Sequence, residues 1–126
     1  VYVSREIKGA DGKTEALEID EDFDRAWRRV GVGLDRVGLN IEDRDRSAGI
    51  YYIRYLDPDY EVKKRNDEGL FSRWFSKEKP VDAPLYRVKL VSDGNKTTVT
   101  AMPDSDKTDP LSTSARILNL LQEQVR

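Results

Sequence analysis

Apolar residues recur every three to four positions between Phe23 and Val37. Phe23, Trp27, Val30, Leu34 and Val37 form one stripe, and Arg25, Arg28, Arg29 and Arg36 lie on the far side, so the spacing predicts an amphipathic helix. Asp20, Glu21 and Asp22 offer an N-cap and an acidic first turn, which suits the positive end of the helix dipole. Gly38 ends the helix where a left-handed cap would sit. Beyond it the period falls to two. Leu39 and Ile41 alternate with Asn40 and Glu42, and Arg46-Ser47-Ala48-Gly49 turns the chain into Ile50-Tyr51-Tyr52-Ile53-Arg54-Tyr55, a β-branched and aromatic strand.

The same period marks the other strands. Leu17 and Ile19 flank Glu18 in a short strand ahead of the helix, while Val1 to Lys8 reads either as a strand or as a linker. Leu85 to Val91 alternates with Arg87 and Lys89, Asp93-Gly94 carries a hairpin signal, and Thr97 to Met102 is threonine-rich and β-prone. Asp109 and Pro110 then predict the cap and first position of a last helix, Leu111 to Val125. The main apolar residues of the first helix fit an arc of about 100°. In the last helix Leu111, Ala115, Ile117, Leu118, Leu120, Leu121 and Val125 spread over roughly 200°. A wider arc needs a curved sheet wrapped around the helix, or a second partner. The order strand, helix, two strands, insertion, two strands, helix therefore predicts an α+β fold in which an antiparallel sheet grips the C-terminal helix. The last helix should be the more buried of the two, with Leu118 and Leu121 in the core. Gly31 and Gly33 lie inside the first helix on the borders of its stripe; close approach by the sheet is the expected reason, and a groove for a partner is the functional alternative.

Residues 57–84 break the pattern. Three prolines and nearly balanced charges predict a long mobile insertion between strands of a single domain spanning 1–126. One apolar island interrupts it: Leu70, Phe71, Trp74 and Phe75 share a face at helical spacing. Large aromatics in a charged segment need something to bury against. They fold back on the sheet or meet a partner, a protein or the membrane surface. Tyr52 and Arg54, on a strand crowded on both faces by Tyr51 and Tyr55, are the other candidate partner-binding residues, since Tyr and Arg are favoured at interfaces. The bland reading is that these rings simply cover the sheet.

Composition narrows the chemistry. The 126 residues are 37% hydrophobic and 37% charged, with a net charge of −2, which suits a small core under a charged surface and gives no extended nucleic-acid footprint. There is no Cys and no His, so the commonest thiolate and imidazole nucleophiles, bases and metal ligands are missing. Asp43 to Gly49 begins like a calcium loop but has Ala48 where the sixth-position glycine belongs, and Arg54 where the bidentate glutamate belongs. Asp104 to Asp109 fails likewise. Asp43 and Asp45 share a strand face as a glycosidase pair would, but interleaved arginines and the lack of an aromatic cleft make a surface acid pair the better reading. Catalytic residues, metal ligands and cofactors are therefore not expected.

The run FDRAWRRVGVGLDRVGLNIEDRDRSAGIYYIRY, continued by LYRVKLVSDGNKTTVTAM and SARILNLLQEQV, resembles the C-terminal domain of the BamC (NlpB) family. The family's members are lipoprotein subunits of the outer-membrane β-barrel assembly machinery of Gram-negative bacteria. The resemblance covers most of the chain outside the insertion. It implies a helix-grip domain and a non-catalytic scaffold role facing the periplasm. It also implies other subunits of the machinery as partners; weak contacts between copies are a separate expectation that the resemblance does not carry. The lipid-attachment cysteine and extended segment of the family are not in this sequence. It opens at Val1-Tyr2-Val3 and reads as an excised domain, so the membrane anchor would lie outside this chain. The competing expectation is a carrier that holds a small apolar ligand between sheet and helix. Phe23, Trp27 and the leucines of the last helix look sufficient to fill that space.

Overall fold

In a computed structural model the described residues are 3–55, 84–104, 109 and 112–125. Six strands, β1 (Ser4–Lys8), β2 (Thr14–Ile19), β3 (Asn40–Asp45), β4 (Ile50–Arg54), β5 (Leu85–Asp93) and β6 (Lys96–Pro103), form one antiparallel sheet in the order β1-β2-β6-β5-β4-β3. Two helices, α1 (Phe23–Arg36) and α2 (Thr113–Val125), pack against it. The segment left open as strand or linker is therefore strand β1, paired with β2 from Ser4–Ile19 to Lys8–Thr14. Bulges interrupt the two outer ladders, with Glu15 of β2 unpaired opposite Ile7/Lys8 and Glu42 of β3 unpaired between Ile41 and Asp43, and they increase twist and help the sheet curve.

Helix α2 lies over β1, β2 and β6, and α1 lies beside it over β3, β5 and β6. Ile117, Leu118, Leu121 and Val125 meet Leu17, Ile19, Val88 and Val99 in one core with Val30, Leu34 and Ile53, all essentially sealed from water. Only Asn119, Leu120 and Glu123 of α2 are exposed, whereas α1 exposes six positions. The last helix is thus the more covered, as its broader apolar arc predicts. Its arc needs both partners: the sheet takes one side and α1 another. Leu120 is the apolar position left outside, 37% exposed.

The caps are set by local chemistry. Asp22 is the α1 N-cap, its carboxylate accepting the Arg25 N–H at 3.0 Å. At the other end Gly38 takes φ +79°, and Leu39 N–H donates back to the Leu34 carbonyl at 3.1 Å. A left-handed residue is needed there to close that reverse hydrogen bond. Helix α2 begins at Thr113, two residues later than predicted, and Pro110 and Leu111 lie outside the described residues. The cap function of Asp109 survives the shift. Ser112 turns at φ +54°, and the Asp109 carboxylate accepts from Thr113 N at 3.0 Å and Ser114 N at 2.9 Å.

Gly31 and Gly33 answer to different neighbours. A Cβ on Gly31 would stand 2.5 Å from Tyr51 Oη, so the sheet does crowd this glycine as expected. A Cβ on Gly33 would meet Leu121 Cδ1 at 2.8 Å and the side chains of Gln124 and Val125. The expectation that the sheet approaches both is corrected for Gly33: it is α2 that comes close.

Asp109 carries a pH dependence. Burial raises its pKa, but hydrogen bonds from Ser114, Thr113 and Tyr86 outweigh that and hold its carboxyl below the ordinary value. A carboxylate lowered in the folded state stabilises above its unfolded pKa, and that stability is lost as pH falls through the lowered value. Asp109→Ala is expected to cost about 1 kcal/mol at neutral pH. In urea unfolding at a series of pH values, the gap between variant and parent should close in acid. A gap that is constant with pH would show that the carboxylate charge plays no part.

Candidate interaction surface

Alternation along the strands sends the core residues to one face of the sheet, and among the described residues both helices lie on that face. On β4, Tyr51 and Ile53 point inward and are 2% and 0% exposed, so Ile50, Tyr52 and Arg54 point to the open face. The same parity puts Leu85, Arg87, Lys89 and Val91 of β5, and Thr98, Thr100 and Met102 of β6, on that face. Rows cross the strands at each register. Asp43, Tyr52, Arg87 and Met102 make one row; Arg5, Glu18, Thr98 and Val91 make another.

The open face is a mixed surface. Val91 is 57% exposed, and Ile7 and Met102 also stand in solvent, while Tyr52 is half-buried among its row neighbours. Charged pairs frame these apolar spots. Arg87 Nε lies 3.3 Å from the Asp104 carboxylate, and Arg54 Nε donates to Glu42 Oε1 at 2.8 Å. Arg5 pairs with Glu18, and Lys96 Nζ is 3.6 Å from the same carboxylate. The hydrogen bond from Arg5 holds the Glu18 carboxyl below its usual range. Exposed pairs of this kind add little stability, typically about 0–1 kcal/mol each, but they fix the side chains around the apolar spots.

Of the candidate partner-binding residues, the fold brings Tyr52 and Arg54 onto this one face, two residues apart on β4. Leu70, Phe71, Trp74 and Phe75, and the whole 57–84 insertion apart from Pro84, lie outside the described residues. Tyr51 turns out to be a core residue. It stacks on Trp27 with 3.9 Å between ring centroids and donates its hydroxyl to the Trp27 carbonyl at 2.7 Å, and burial pushes its pKa up. The exposed Val91, Met102 and Ile7 are surface members that alternation alone did not single out, because which face lacks a helix depends on the strand order.

The acidic turns are occupied by local bonding. Asp45 Oδ1 accepts from Ser47 Oγ at 2.7 Å and from Ala48 N at 3.1 Å, and these bonds lower its pKa. The Asp43 carboxylate accepts the N–H of Arg44 at 2.8 Å. Among the described residues there is no group of three acidic side chains that could hold a metal ion.

Among the described residues, a six-stranded sheet with both helices on one face defines a helix-grip domain of the α+β class. Residues 6–125 match the family described as the outer membrane protein assembly factor BamC-like C-terminal domain, and the chain belongs to that family. It is 42% identical over 122 residues to the outer membrane protein assembly factor BamC of Accumulibacter regalis, a match covering 94% of this chain and 31% of that protein. It is 41% identical over 126 residues to the BamC of Thiobacillus denitrificans, covering 98% of this chain and 34% of the relative. A more distant relative of the same name, from Pseudoalteromonas atlantica, is 28% identical over 104 residues, 79% of this chain and 26% of its own. The chain thus spans about a third of the length of these curated relatives.

Proposed function

We propose that this chain is a non-catalytic interaction domain of a lipid-anchored outer-membrane assembly factor, facing the periplasm and working beside other subunits of the β-barrel assembly machinery. The name shared by its relatives supports the setting. The observation that carries the mode of action is the open sheet face, which bears Tyr52 and Arg54 and, in other rows or strands of the same face, the exposed Val91 and Met102. A polar frame around a few aromatic and aliphatic side chains is the anatomy of a modest, reversible interface. We place Tyr52, Arg54 and the Leu70, Phe71, Trp74 and Phe75 island in that interface, with any contact between copies weak. A carrier of small apolar ligands would need space between sheet and helices. That space holds Trp27, Tyr51, Ile53, Leu118 and Leu121, none more than 8% exposed, which favours the interaction reading.

The test is co-precipitation of assembly-machinery subunits from detergent-solubilised outer membranes. The tagged baits are the parent chain, a Tyr52→Ala/Arg54→Ala variant and a Trp74→Ala variant. Recovery should fall several-fold with each variant while the melting temperature of the bait holds. Equal recovery by all three baits, or none by the parent, would sink the proposal.

A further inference from the structure

On the helix side of the sheet, α1 and the edge strand β3 diverge and leave a groove of about 620 Å³. Gly31 and the Trp27–Tyr51 stack lie along its floor. Arg28 and the 46%-exposed Val32 come from α1, and Arg44 and Arg46 from the β3 side. Its floor lies on the opposite side of the sheet from Tyr52, Arg87 and Met102.

The charges in this groove are unevenly used. Arg46 reaches Asp24 at 2.5 Å, a pair exposed on both sides. Arg28 and Arg44 make no side-chain hydrogen bond or ion pair among the described residues. Arg44 instead lies over the Tyr51 ring, its guanidinium carbon 6.0 Å from the centroid. The end of the groove near the start of α1 therefore holds three guanidinium groups against the one carboxylate of Asp24. Asp35 stands at the other end, beside Asn40. A cationic pole of this kind stands out on a chain whose net charge is −2.

We infer that this groove binds an acidic peptide segment of a partner protein. Arg28 and Arg44 would each take a carboxylate, and the segment would lie along α1 with its uncharged end toward Asp35. Charge complementarity selects the occupant. Guanidinium groups held against an aromatic floor offer paired N–H donors matched to a carboxylate. Concavity favours a peptide over a flat anionic bilayer, which would meet a projecting basic surface instead. The edge of β3 argues against capture by strand addition. It is bulged at Ile41/Asp43, it carries a run of charged side chains, and the Asp43 carboxylate already takes the Arg44 N–H. These are features that discourage edge pairing. Recognition therefore runs through side chains in the groove.

The experiment uses the 126-residue chain and a fluorescein-labelled peptide of several glutamates followed by several serines as the probe, read by polarisation at low and physiological salt. Amide chemical shifts locate the site. Arg28→Ala and Arg44→Ala should each weaken binding about five- to tenfold, the loss expected for one hydrogen-bonded contact of ordinary net strength in an open, solvated groove. Arg25→Ala and Arg36→Ala remove the same charge from α1 outside the groove, and should change it less than about twofold. Shifts should cluster at Arg28, Gly31, Val32 and Arg44. Absence of saturable binding at physiological salt would overturn the inference. So would equal loss from all four variants, shifts on the open sheet face, or binding to phosphatidylglycerol vesicles without binding to the peptide. Loss of subunit recovery by Tyr52→Ala/Arg54→Ala leaves this result unaffected, so the two proposals fail separately.

Discussion

Leu118→Ala is expected to lower the free energy of unfolding by about 2–5 kcal/mol, the range for emptying a buried leucine site. Leu118 is 1% exposed and sits in the central turns of α2, where the helix is held by β2 and β6 on one side and α1 on another. With elements on several sides, the surroundings have little freedom to collapse into the void, so the cost should fall toward the upper part of that range. Domains of this size have total stabilities of about 5–15 kcal/mol, and the variant would lose a large share. Urea unfolding followed by circular dichroism reads the change. Leu120→Ala, one turn face away and 37% exposed, should move the midpoint little. Equal midpoints for Leu118→Ala and the parent would mean that the sheet does not grip this helix.

Gly49→Ala should be nearly as damaging, for a backbone reason. Gly49 ends the β3–β4 turn at φ +73°, and a Cβ there would stand 2.5 Å from the carbonyl oxygen of Leu90. The left-handed conformation alone costs an alanine about 1–2 kcal/mol. The obstacle is main chain, fixed in β5, and Leu90 N–H donates to the Gly49 carbonyl at 2.7 Å, so neither side can give way without breaking that bond. We expect a loss of roughly 3 kcal/mol, combining the conformational cost with a broken buried hydrogen bond. Gly38→Ala is the internal comparison. It has the same sign of φ, +79°, with nothing within 4 Å of its Cβ, and should show the conformational cost alone. Thermal melts of the two variants should differ clearly. If they coincide, the Leu90 contact does not constrain the turn.

Much of this fold can be read from local signals. The stripe from Phe23 to Leu34, the Asp22 cap and the Gly38 stop are all short-range, and so is the alternation that writes β4, β5 and β6. What stays hidden depends on partners far along the chain. β1 has a polar sequence and becomes a strand because β2 is beside it, pairing Ser4 with Ile19. Gly33 makes room for Leu121, some ninety residues away, a contact that helical spacing alone could not assign to α2 rather than the sheet. Helix α2 starts two residues after the predicted Leu111 because Asp109 caps from across a turn, with Ser112 in a left-handed conformation. The surface was half legible. Tyr52 and Arg54 carry the residue types of interfaces, and the fold places them on one open face. Arg28 appeared only as part of the polar side of a helix. Its juxtaposition with Arg44 arises because the chain reverses at Gly38 and lays β3 alongside α1.

The sheet's neighbour order also separates quick steps from slow ones. β1–β2, β3–β4 and β5–β6 are hairpins between consecutive strands, but the β2–β6 seam joins Leu17 to Val99 and Ile19 to Thr97. Closing that interval carries a loop entropy several-fold larger than a hairpin turn, on the order of 4 kcal/mol by the logarithmic length rule. Contacts of such separation tend to form late. Helix α2 straddles the seam, touching β2 and β6 at once. It acts as the latch that closes after the strands have met. Side chains that dock after the rate-limiting barrier change the rate of leaving the native state more than the rate of reaching it. Leu118→Ala should therefore steepen escape, raising the unfolding arm of the chevron while the refolding arm stays near that of the parent. The grip on α2 is in this sense a kinetic lock on the whole sheet.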